Sequence, residues 1–389
     1  MPVHTNARPQ TPFAPDTTLP ILTDCPKDMQ YGPCGGVGLD GTCEVDRGKL
    51  CVWHDSIEPI DPDVIAALPH KNERPTRTDS RFERTLRAGH FAVTCELNPH
   101  DSADATAILD YARTIAPYID AGHISDNSLA SPHMCGLAVA ALVQQAGIDP
   151  ILHMTCRDRN RLMLQADLLG AHALGVKNVL CITGDHPAIG DHPTAKPVFD
   201  LDSVRWIETA AKLRDEGRFL EGERTLNVAP ALFIGGAVGP TAPPLDLRHH
   251  RLARKLLAGA DFVVTQLIFD MDWLRVFLDR ARDMGLLEKT HLLVGVGALT
   301  GPNMARAINK GTPGVYIPDD IIKRLEGVPK AERKAEGIKI CVEQIQQLME
   351  IDDVHGIDIM DLDFRRWFPT PEIVTAAGLA DRPALSIED

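Results

Sequence analysis

The sequence lacks the long apolar run that a membrane span requires. No segment approaches the roughly 20 unbroken apolar residues needed to cross a bilayer. The first 20 residues are polar and rich in Pro and Thr, without the basic start and apolar stretch of a signal peptide. These absences predict a protein that is neither inserted in a membrane nor exported, and we expect it in the cytoplasm.

Basic residues are in the minority. The 389-residue chain has 40 Lys and Arg against 54 Asp and Glu, which gives a formal net charge of -14. Nucleic-acid binding needs clustered Lys and Arg, so this balance argues against a nucleic-acid partner. It leaves room for an anionic small ligand, because a site can be locally basic in an acidic protein.

Close Cys-x-x-Cys pairs are absent, although the chain has nine cysteines. Zinc ribbons generally use such pairs. Four cysteines instead lie in a Gly-rich stretch, with eight, eight and seven residues between successive thiols. Backbone N–H groups at Gly35 and Gly36 are free to approach cluster sulfides, so a [4Fe–4S] cluster is predicted, with Zn²⁺ or no metal as alternatives. The four predicted ligands are Cys25, Cys34, Cys43 and Cys51, and the other five cysteines are expected to be core residues.

Composition divides the chain into four regions. Residues 1–20 are expected to be disordered, and residues 21–55 form the Cys-rich metal or Fe–S module. Residues 56–82 are Pro-rich with mixed charge, which is typical of a surface linker. Residues 83–389 are expected to form the main domain, with a C-terminal extension.

From residue 83 onward, short β-type runs alternate with amphipathic helical stretches. A glycine fingerprint after the first run, which is common in doubly wound open sheets, is absent. The alternation therefore predicts a (β/α)₈ TIM barrel, and a doubly wound sheet is the alternative. One helix is predicted over 132–145, with Ser131 as its N-cap and Pro132 at its first position. The predicted strands are 90–97, 123–125, 151–155, 178–183, 226–233, 262–267, 291–296 and 356–360.

Polar residues at the C-terminal ends of the strands are the candidate site residues, because the active site of such barrels lies there. Glu96 follows an apolar run, where an unpaired buried carboxylate would cost several kcal/mol. Such a setting would make Glu96 a usable general acid, and a structural carboxylate tied to an Arg or a cap is the alternative.

Further polar residues end the third, fourth and sixth predicted strands. A Gly184-Asp185 pair lets the backbone approach a flat ligand closely and places one acceptor beside it, although a plain turn would look the same. Gln266 can donate and accept hydrogen bonds, which suits a pterin or amide edge. His153 alone is more typical of a core histidine.

Arg251, Arg254 and Lys255 share one face of a predicted helix, at i, i+3 and i+4 spacing. This face is either a solvated basic surface or a clamp for a cofactor phosphate.

Taken together, these strand ends resemble the methylenetetrahydrofolate reductase family over roughly residues 83–365. The stretch 95–99, Cys-Glu-Leu-Asn-Pro, lies where that family has Phe-Glu-Phe-Phe-Pro. Thr183-Gly184-Asp185 resembles its Arg-Gly-Asp, and the stretch 265–270 resembles its Thr-Gln-Phe-Phe-Phe-Asp. His153 with Thr155 resembles its His-Leu-Thr, and Arg254-Lys255 lies where the family has an Arg-Lys pair near the flavin.

The resemblance implies a flavoenzyme that interconverts 5,10-methylene- and 5-methyltetrahydrofolate by hydride transfer through flavin N5. It implies that Glu96 supplies a proton at the folate nitrogen, opening the methylene bridge to an iminium, and that Asp185 lies near the flavin ring and the pterin. Gln266 and Phe269 would contact the folate. The cofactor would be FAD, with FMN possible, and its implied contacts are His153, Thr155, Thr183, Gly184, Asp185, Arg254 and Lys255.

Three departures from the family pattern bear on the electron source. Thr183 replaces the usual Arg, and Gly235-Gly236 lies where the family often has Tyr-Pro beside the flavin. The loop 295–302 lacks the Phe that helps to hold a folded nicotinamide cofactor. These changes argue against direct NADH use and leave a weakly bound or lost flavin open.

The Cys-rich segment resembles the cysteine domain of the small partner subunit of acetogen methylenetetrahydrofolate reductases, which is associated with electron supply. This resemblance implies electron exchange between a cluster and the flavin, with NAD(P)H or a ferredoxin-type carrier as the external partner. We also expect a homo-oligomer. Two other functions remain open: a flavin-free, pterin-dependent methyltransferase barrel, and a non-catalytic electron-transfer subunit.

Overall fold

The computed structural model describes residues 24–54, 59–312, 314–360, 362 and 369–385. The segment 1–20, predicted to be disordered, lies outside the described residues, as do 21–23 and 55 of the predicted module and 386–389 of the C-terminal extension. Within the described ranges, no helix is both long enough and apolar enough to cross a membrane.

Eight parallel strands close into a barrel in chain order, with β1 paired to both β2 and β8. The predicted (β/α)₈ fold is therefore confirmed. The strands are β1 Ala92–Glu96, β2 Ala121–Ile124, β3 Pro150–Thr155, β4 Asn178–Ile182, β5 Phe233–Val238, β6 Phe262–Leu267, β7 His291–Val296 and β8 Gly356–Ile359.

Helices surround the barrel and connect its strands. The α-helices of the described residues are α1 Pro62–Ala66, α2 Arg81–Arg87, α3 Thr106–Ile115, α4 Gly136–Val143, α5 Arg161–Ala173, α6 Ser203–Asp215, α7 Arg248–Leu257, α8 Met271–Asp283, α9 Pro302–Gly311, α10 Asp319–Glu326, α11 Arg333–Met349 and α12 Thr370–Ala376. The 3₁₀ helices are Lys71–Glu73, Ala116–Tyr118, Ser128–Ala130, Gln144–Ala146, Pro187–Ile189, Leu245–Leu247 and Leu287–Lys289.

The barrel interior is filled from its N-terminal end. Phe82 of α2 is fully buried and meets Phe233 and Phe262 edge-on, at centroid distances of 5.7 and 5.0 Å. Side chains alternate between the interior and the surrounding helices, as parallel barrel strands require. This aromatic plug closes the N-terminal end and leaves open space only toward the C-terminal ends of the strands.

Two of the predicted elements begin several residues away from their observed start. The fifth strand was predicted at 226–233, but β5 begins at Phe233 and contains Gly235 and Gly236. Glycine lowers strand propensity, so the pattern favoured the preceding segment; at Gly235, however, a Cβ would lie 2.3 Å from the Phe262 ring. Helix α4 begins at Gly136 rather than Pro132, because the preceding loop binds elsewhere: the Met134 N–H donates to the His100 carbonyl.

The N-terminal segment spans both ends of the barrel. The Cys-rich module (residues 24–54) lies over the C-terminal ends of the strands, where Lys27 donates to the Gly184 carbonyl at 2.9 Å. Residues 59–80 then run to the opposite end, where Lys71 donates to the Leu287 carbonyl and Arg74 to the Ala260 carbonyl. The predicted linker thus includes α1 and several contacts with the barrel.

Candidate functional site

A cavity of about 360 Å³ opens at the C-terminal ends of the barrel strands. Its floor is the barrel interior, including Leu180, Val264 and Asp358. Part of its wall comes from the module, through Cys34 and Gly36. The cavity is therefore formed jointly by the barrel and the module, and its volume lies in the range of small-molecule sites.

Most of the predicted site residues surround this cavity. They come from the ends of β1, β3, β4 and β6 and from α7, which converge because the strands are parallel. The lining set is Glu96, His153, Thr155, Thr183, Gly184, Asp185, Lys255 and Gln266.

Two of the residues predicted to bind folate or flavin do not line the cavity. Phe269 is buried with Leu299 and Ile317 in a separate apolar cluster beneath α9 and α10. Arg254 points to the module instead, where its Nη1 donates to the Tyr31 carbonyl at 3.0 Å.

The Thr183 and Thr155 hydroxyls are both engaged in holding the cavity wall. The Ser203 N–H donates to Thr183 Oγ1 at 3.1 Å, which fixes the start of α6. Thr155 Oγ1 donates to Asp126 Oδ2 at 2.9 Å, and Arg159 pairs with the same carboxylate at 2.6 Å. Gly184 has a positive φ of 91°, and a Cβ there would lie 3.1 Å from Thr155 Cβ, so only glycine fits this close approach to the end of β3.

A buried polar chain lies beneath Glu96, and of its members only His153 was among the predicted site residues. His123 is the strand neighbour of Glu96, and its Nδ1 is 2.8 Å from His153 Nε2. Its Nε2 is 3.7 Å from Asp358 Oδ1, which also accepts a 2.9 Å hydrogen bond from the Thr94 hydroxyl. Burial lowers the pKa of both histidines to about 3 and raises the pKa of Asp358 to about 7.

Three buried cations from α7, Arg248, Arg251 and Lys255, form one wall of the cavity. Arg251 pairs with Asp202 at 3.3 Å, and Asp202 also accepts from backbone N–H groups of the module. Burial, together with the nearby charge of Arg251, lowers the pKa of Lys255 to about 7. The wall therefore has more positive charge than its carboxylate neutralises, which favours an anionic ligand.

An ion pair joins the module to the barrel. Lys27 and Glu44 are both buried and pair with each other. Burial opposes the charge on Lys27, but Cys34, Glu44 and Asp185 together hold its pKa above the usual range. On the barrel side, the His186 N–H contacts Glu44 Oε1 at 3.4 Å. Lys27 thus connects the module electrostatically to Asp185.

The four thiols of the module lie close enough to influence one another. Burial raises the pKa of the Cys25, Cys34 and Cys51 thiols, that of Cys51 to about 11, and neighbouring thiols raise each of these pKa values further. Even so, no group of three or more His, Cys, Asp or Glu side chains in the described residues is arranged to hold a metal ion. Thiols are the ligands that a thiophilic metal prefers, but the four thiols are not arranged as a metal-binding set in the described residues.

Several residues of the site could be recognised in the sequence only weakly, or not at all. Asp358 interrupts an apolar strand as Glu96 does, so the same reasoning could have found it. Lys27 and Glu44 lie 17 residues apart in a segment without regular structure, and their pairing has no sequence signature.

Comparison with known proteins agrees with this geometry. A Caenorhabditis elegans protein named "Probable methylenetetrahydrofolate reductase (NADPH)" is 26% identical over 243 residues, covering 62% of this chain and 34% of that protein. The Schizosaccharomyces pombe "Methylenetetrahydrofolate reductase 1" is 26% identical over 210 residues, covering 52% of this chain and 32% of that protein. This chain spans about a third of the length of these curated relatives.

A solved structure shares the fold. It is described as an uncharacterized protein from Clostridium thermocellum that binds two copies of 5-methyl-5,6,7,8-tetrahydrofolic acid. The structural match covers 77% of this chain and 98% of the other chain, with a TM-score of 0.52 and 14% sequence identity. At that identity, the likeness shows the fold alone.

Family models account for both parts of the chain. A model described as "Methylene-tetrahydrofolate reductase C terminal" matches residues 16–65, which here precede the barrel. The methylenetetrahydrofolate reductase model matches residues 81–378, well over half of the chain and the whole of the barrel. The protein therefore belongs to the methylenetetrahydrofolate reductase family.

Proposed function

We propose that the barrel catalyses flavin-dependent interconversion of 5,10-methylenetetrahydrofolate and 5-methyltetrahydrofolate. One observation carries the proposal: Glu96, Asp185 and Gln266 surround a single cavity in a chain of this family. They come from three different strand ends, so their convergence depends on the closed barrel.

Each of the three residues has a distinct part in this proposal. Glu96 stands at the end of β1 and gives its proton to a folate nitrogen, which opens the methylene bridge. Gln266 offers an amide edge that orients the pterin; its own Oε1 accepts from the Leu267 N–H at 3.0 Å, which leaves the amide N–H₂ to donate. Asp185 supplies a carboxylate beside the ring, held near the positive charge of Lys27.

The residues present fit a flavin. Gly184 lines the cavity without a side chain, which leaves room for a planar ring, and the cationic wall of Arg251 and Lys255 accommodates a phosphate. When bound there, a reduced flavin supplies a hydride to the one-carbon unit. Arg254 contributes indirectly in this arrangement, because it holds Tyr31 of the module and not the ligand.

The absorption spectrum of the protein, purified without oxygen, tests the proposal. We expect bound flavin, and we expect 5-methyltetrahydrofolate to bleach its visible band stoichiometrically as the flavin is reduced. A protein without flavin that still transfers the methyl group to an acceptor would instead be a methyltransferase. A flavin that no folate reduces would leave only an electron-transfer role.

Glu96→Gln tests the proton donor, because the amide keeps the shape of the side chain and cannot give up a proton. We expect methylene reduction to fall by about 10²–10⁴-fold, the usual contribution of a general acid. Glu288→Gln, at an exposed position in a 3₁₀ helix outside the cavity, is the matched control and should retain full activity. Full activity in Glu96→Gln would overturn this assignment.

The module is proposed to exchange electrons with the flavin through a [4Fe–4S] cluster on Cys25, Cys34, Cys43 and Cys51. The proximity of the four thiols supports this, since neighbouring thiols raise one another's pKa values and a bound cation would stabilise the thiolates. Cys34 also lines the cavity, so a cluster there would lie near the bound ring. Iron, sulfide and zinc per chain decide the question: zinc without iron would rule out the cluster.

A further inference from the structure

A chain of buried polar side chains crosses the barrel interior and ends in the cavity. It runs from Asp358 on β8, through His123 on β2, to His153 on β3, with steps of 3.7 and 2.8 Å. Thr94 holds the Asp358 carboxyl from β1, and Thr94, His123 and Asp358 are at most 1% exposed. The proposed roles of Glu96, Asp185 and Gln266 use none of these three side chains.

The hydrogen bond between the imidazoles couples their tautomers. Two ring nitrogens 2.8 Å apart share one proton, so either His123 Nδ1 or His153 Nε2 is the donor. If His123 donates, its Nε2 is bare and can only accept a proton from Asp358. If His153 donates, His123 has its proton on Nε2 and faces an ionised Asp358. The protonation of Asp358 thus selects the tautomer of both rings.

The surroundings keep both rings neutral. No hydrogen-bond partner for His123 Nε2 is found among the described residues, so the Asp358 carboxyl is the group it faces. The other titratable groups near the chain are Glu96 and Cys95 on β1 and Asp126 beside His153. Burial raises the pKa of the Cys95 thiol to about 12, so it does not compete for protons near neutral pH.

We propose that Asp358, His123 and His153 form a proton wire that delivers one proton to the cavity at His153 Nδ1. Three protons each move one place. The Asp358 carboxyl proton passes to His123 Nε2, the His123 Nδ1 proton passes to His153 Nε2, and the His153 Nδ1 proton passes to an acceptor in the cavity. Asp358 is left as a carboxylate, both rings stay neutral, and the reverse step takes a proton up.

The wire fits a ligand that gains or loses a proton at a heterocyclic nitrogen or oxygen during its reaction. In the proposed function this atom belongs to the pterin or the flavin ring, and only that identification rests on the proposed function. His153 lines the cavity and would touch the ligand. His123 and Asp358 act through it and are positioning residues.

Asp358→Asn breaks the wire and still places a hydrogen-bond donor opposite His123 Nε2. The asparagine amide favours the first tautomer, because its N–H₂ faces a bare ring nitrogen, and it has no acidic proton to transfer. Asp149→Asn is the matched control, since Asp149 is another buried carboxyl whose pKa burial raises, to about 6. It lies at the N-terminal end of the barrel, where it accepts from the Phe82 N–H and from Asn178.

Histidine ¹⁵N NMR of the ligand-free protein tests the wire directly. As the pH rises through the titration of Asp358, His123 and His153 should change tautomer together, in the wild type and in Asp149→Asn. In Asp358→Asn the change should be absent. Tautomers that switch without Asp358, or that never switch in the wild type, would overturn the proposal.

Turnover gives a second readout. In Asp358→Asn we expect kcat for methylene reduction to fall by about 10²-fold and the pH profile to lose the limb near neutrality. Asp149→Asn should keep the wild-type profile. A wild-type pH profile in Asp358→Asn would refute delivery of protons to the reaction. A protein that shows the coupled tautomer change but no folate chemistry would refute the proposed function and leave the wire standing.

Discussion

Removing the Lys27 ammonium should loosen the module from the barrel. Lys27→Met keeps most of the side chain's apolar volume but deletes the charge that pairs with Glu44 and the donor that binds the Gly184 carbonyl. Glu44 would then be a buried carboxylate that has lost the ammonium partner and keeps the 3.4 Å contact with the His186 N–H.

The expected magnitude follows from the burial of both partners, which are 4% and 5% exposed. Deleting one member of such a pair costs about 3–5 kcal/mol, because the remaining charge stays buried. At about 1.4 kcal/mol per factor of ten, the ratio of docked to undocked module falls by roughly 10²- to 10⁴-fold. Lys27→Met/Glu44→Gln should recover part of this loss, since no uncompensated charge remains.

Hydrogen–deuterium exchange of the module's backbone amides measures the effect, because it reports local opening separately from global unfolding. We expect faster exchange across residues 29–51 in Lys27→Met and unchanged exchange in β1–β8. The matched control is Lys49→Met, which removes an exposed ion pair with Asp46 and should change little. Wild-type protection in Lys27→Met, or equal losses in the single and double variants, would refute the reasoning.

Three further predictions follow from the interior and the cationic wall. Phe82→Ala should lower the free energy of unfolding by about 3–5 kcal/mol, measured by urea denaturation, because the aromatic plug loses its central ring. The pKa of Asp358 is about 7 in the folded state, above its ordinary value of 3.8. The contribution of Asp358 to stability is therefore present below pH 3.8 and is lost as the pH rises through 7. The unfolding free energy of the wild type minus that of Asp358→Asn should decrease over this pH range. Lys255→Met should reduce retention of a phosphate-bearing flavin on dialysis at least about tenfold, whereas unchanged retention would remove Lys255 from the phosphate wall.

The positions of site residues could be predicted from the sequence where the barrel topology alone determines them. Parallel barrel strands bring their C-terminal ends together, so Glu96, His153, Asp185 and Gln266 could be placed around one cavity before any contact was known. Phe269 lies beyond the end of β6, and its side chain packs in the cluster beneath α9 and α10 rather than at the cavity. The direction of that side chain depends on packing rather than on a local pattern.

Contacts between distant segments could not be predicted. The hydrogen bond between Thr94 and Asp358 depends on the register between β1 and β8, where the barrel closes. Arg254 was predicted to serve a phosphate or to face solvent, but it donates to the Tyr31 carbonyl. Arg248, which was not part of that prediction, donates to the Cys34 carbonyl. A hydrogen bond to a backbone carbonyl of an irregular segment does not depend on the identity of the accepting residue, so such contacts have no sequence signature.

The path of residues 59–80 along the barrel has a consequence for how the module and the cavity work together. The chain is anchored at the far end of the barrel through Lys71 and Arg74 before it enters α2. A module that dissociates from the C-terminal end of the barrel therefore stays covalently linked to it, and its return is a first-order process whose rate does not depend on protein concentration. Dilution will not separate the module from its barrel.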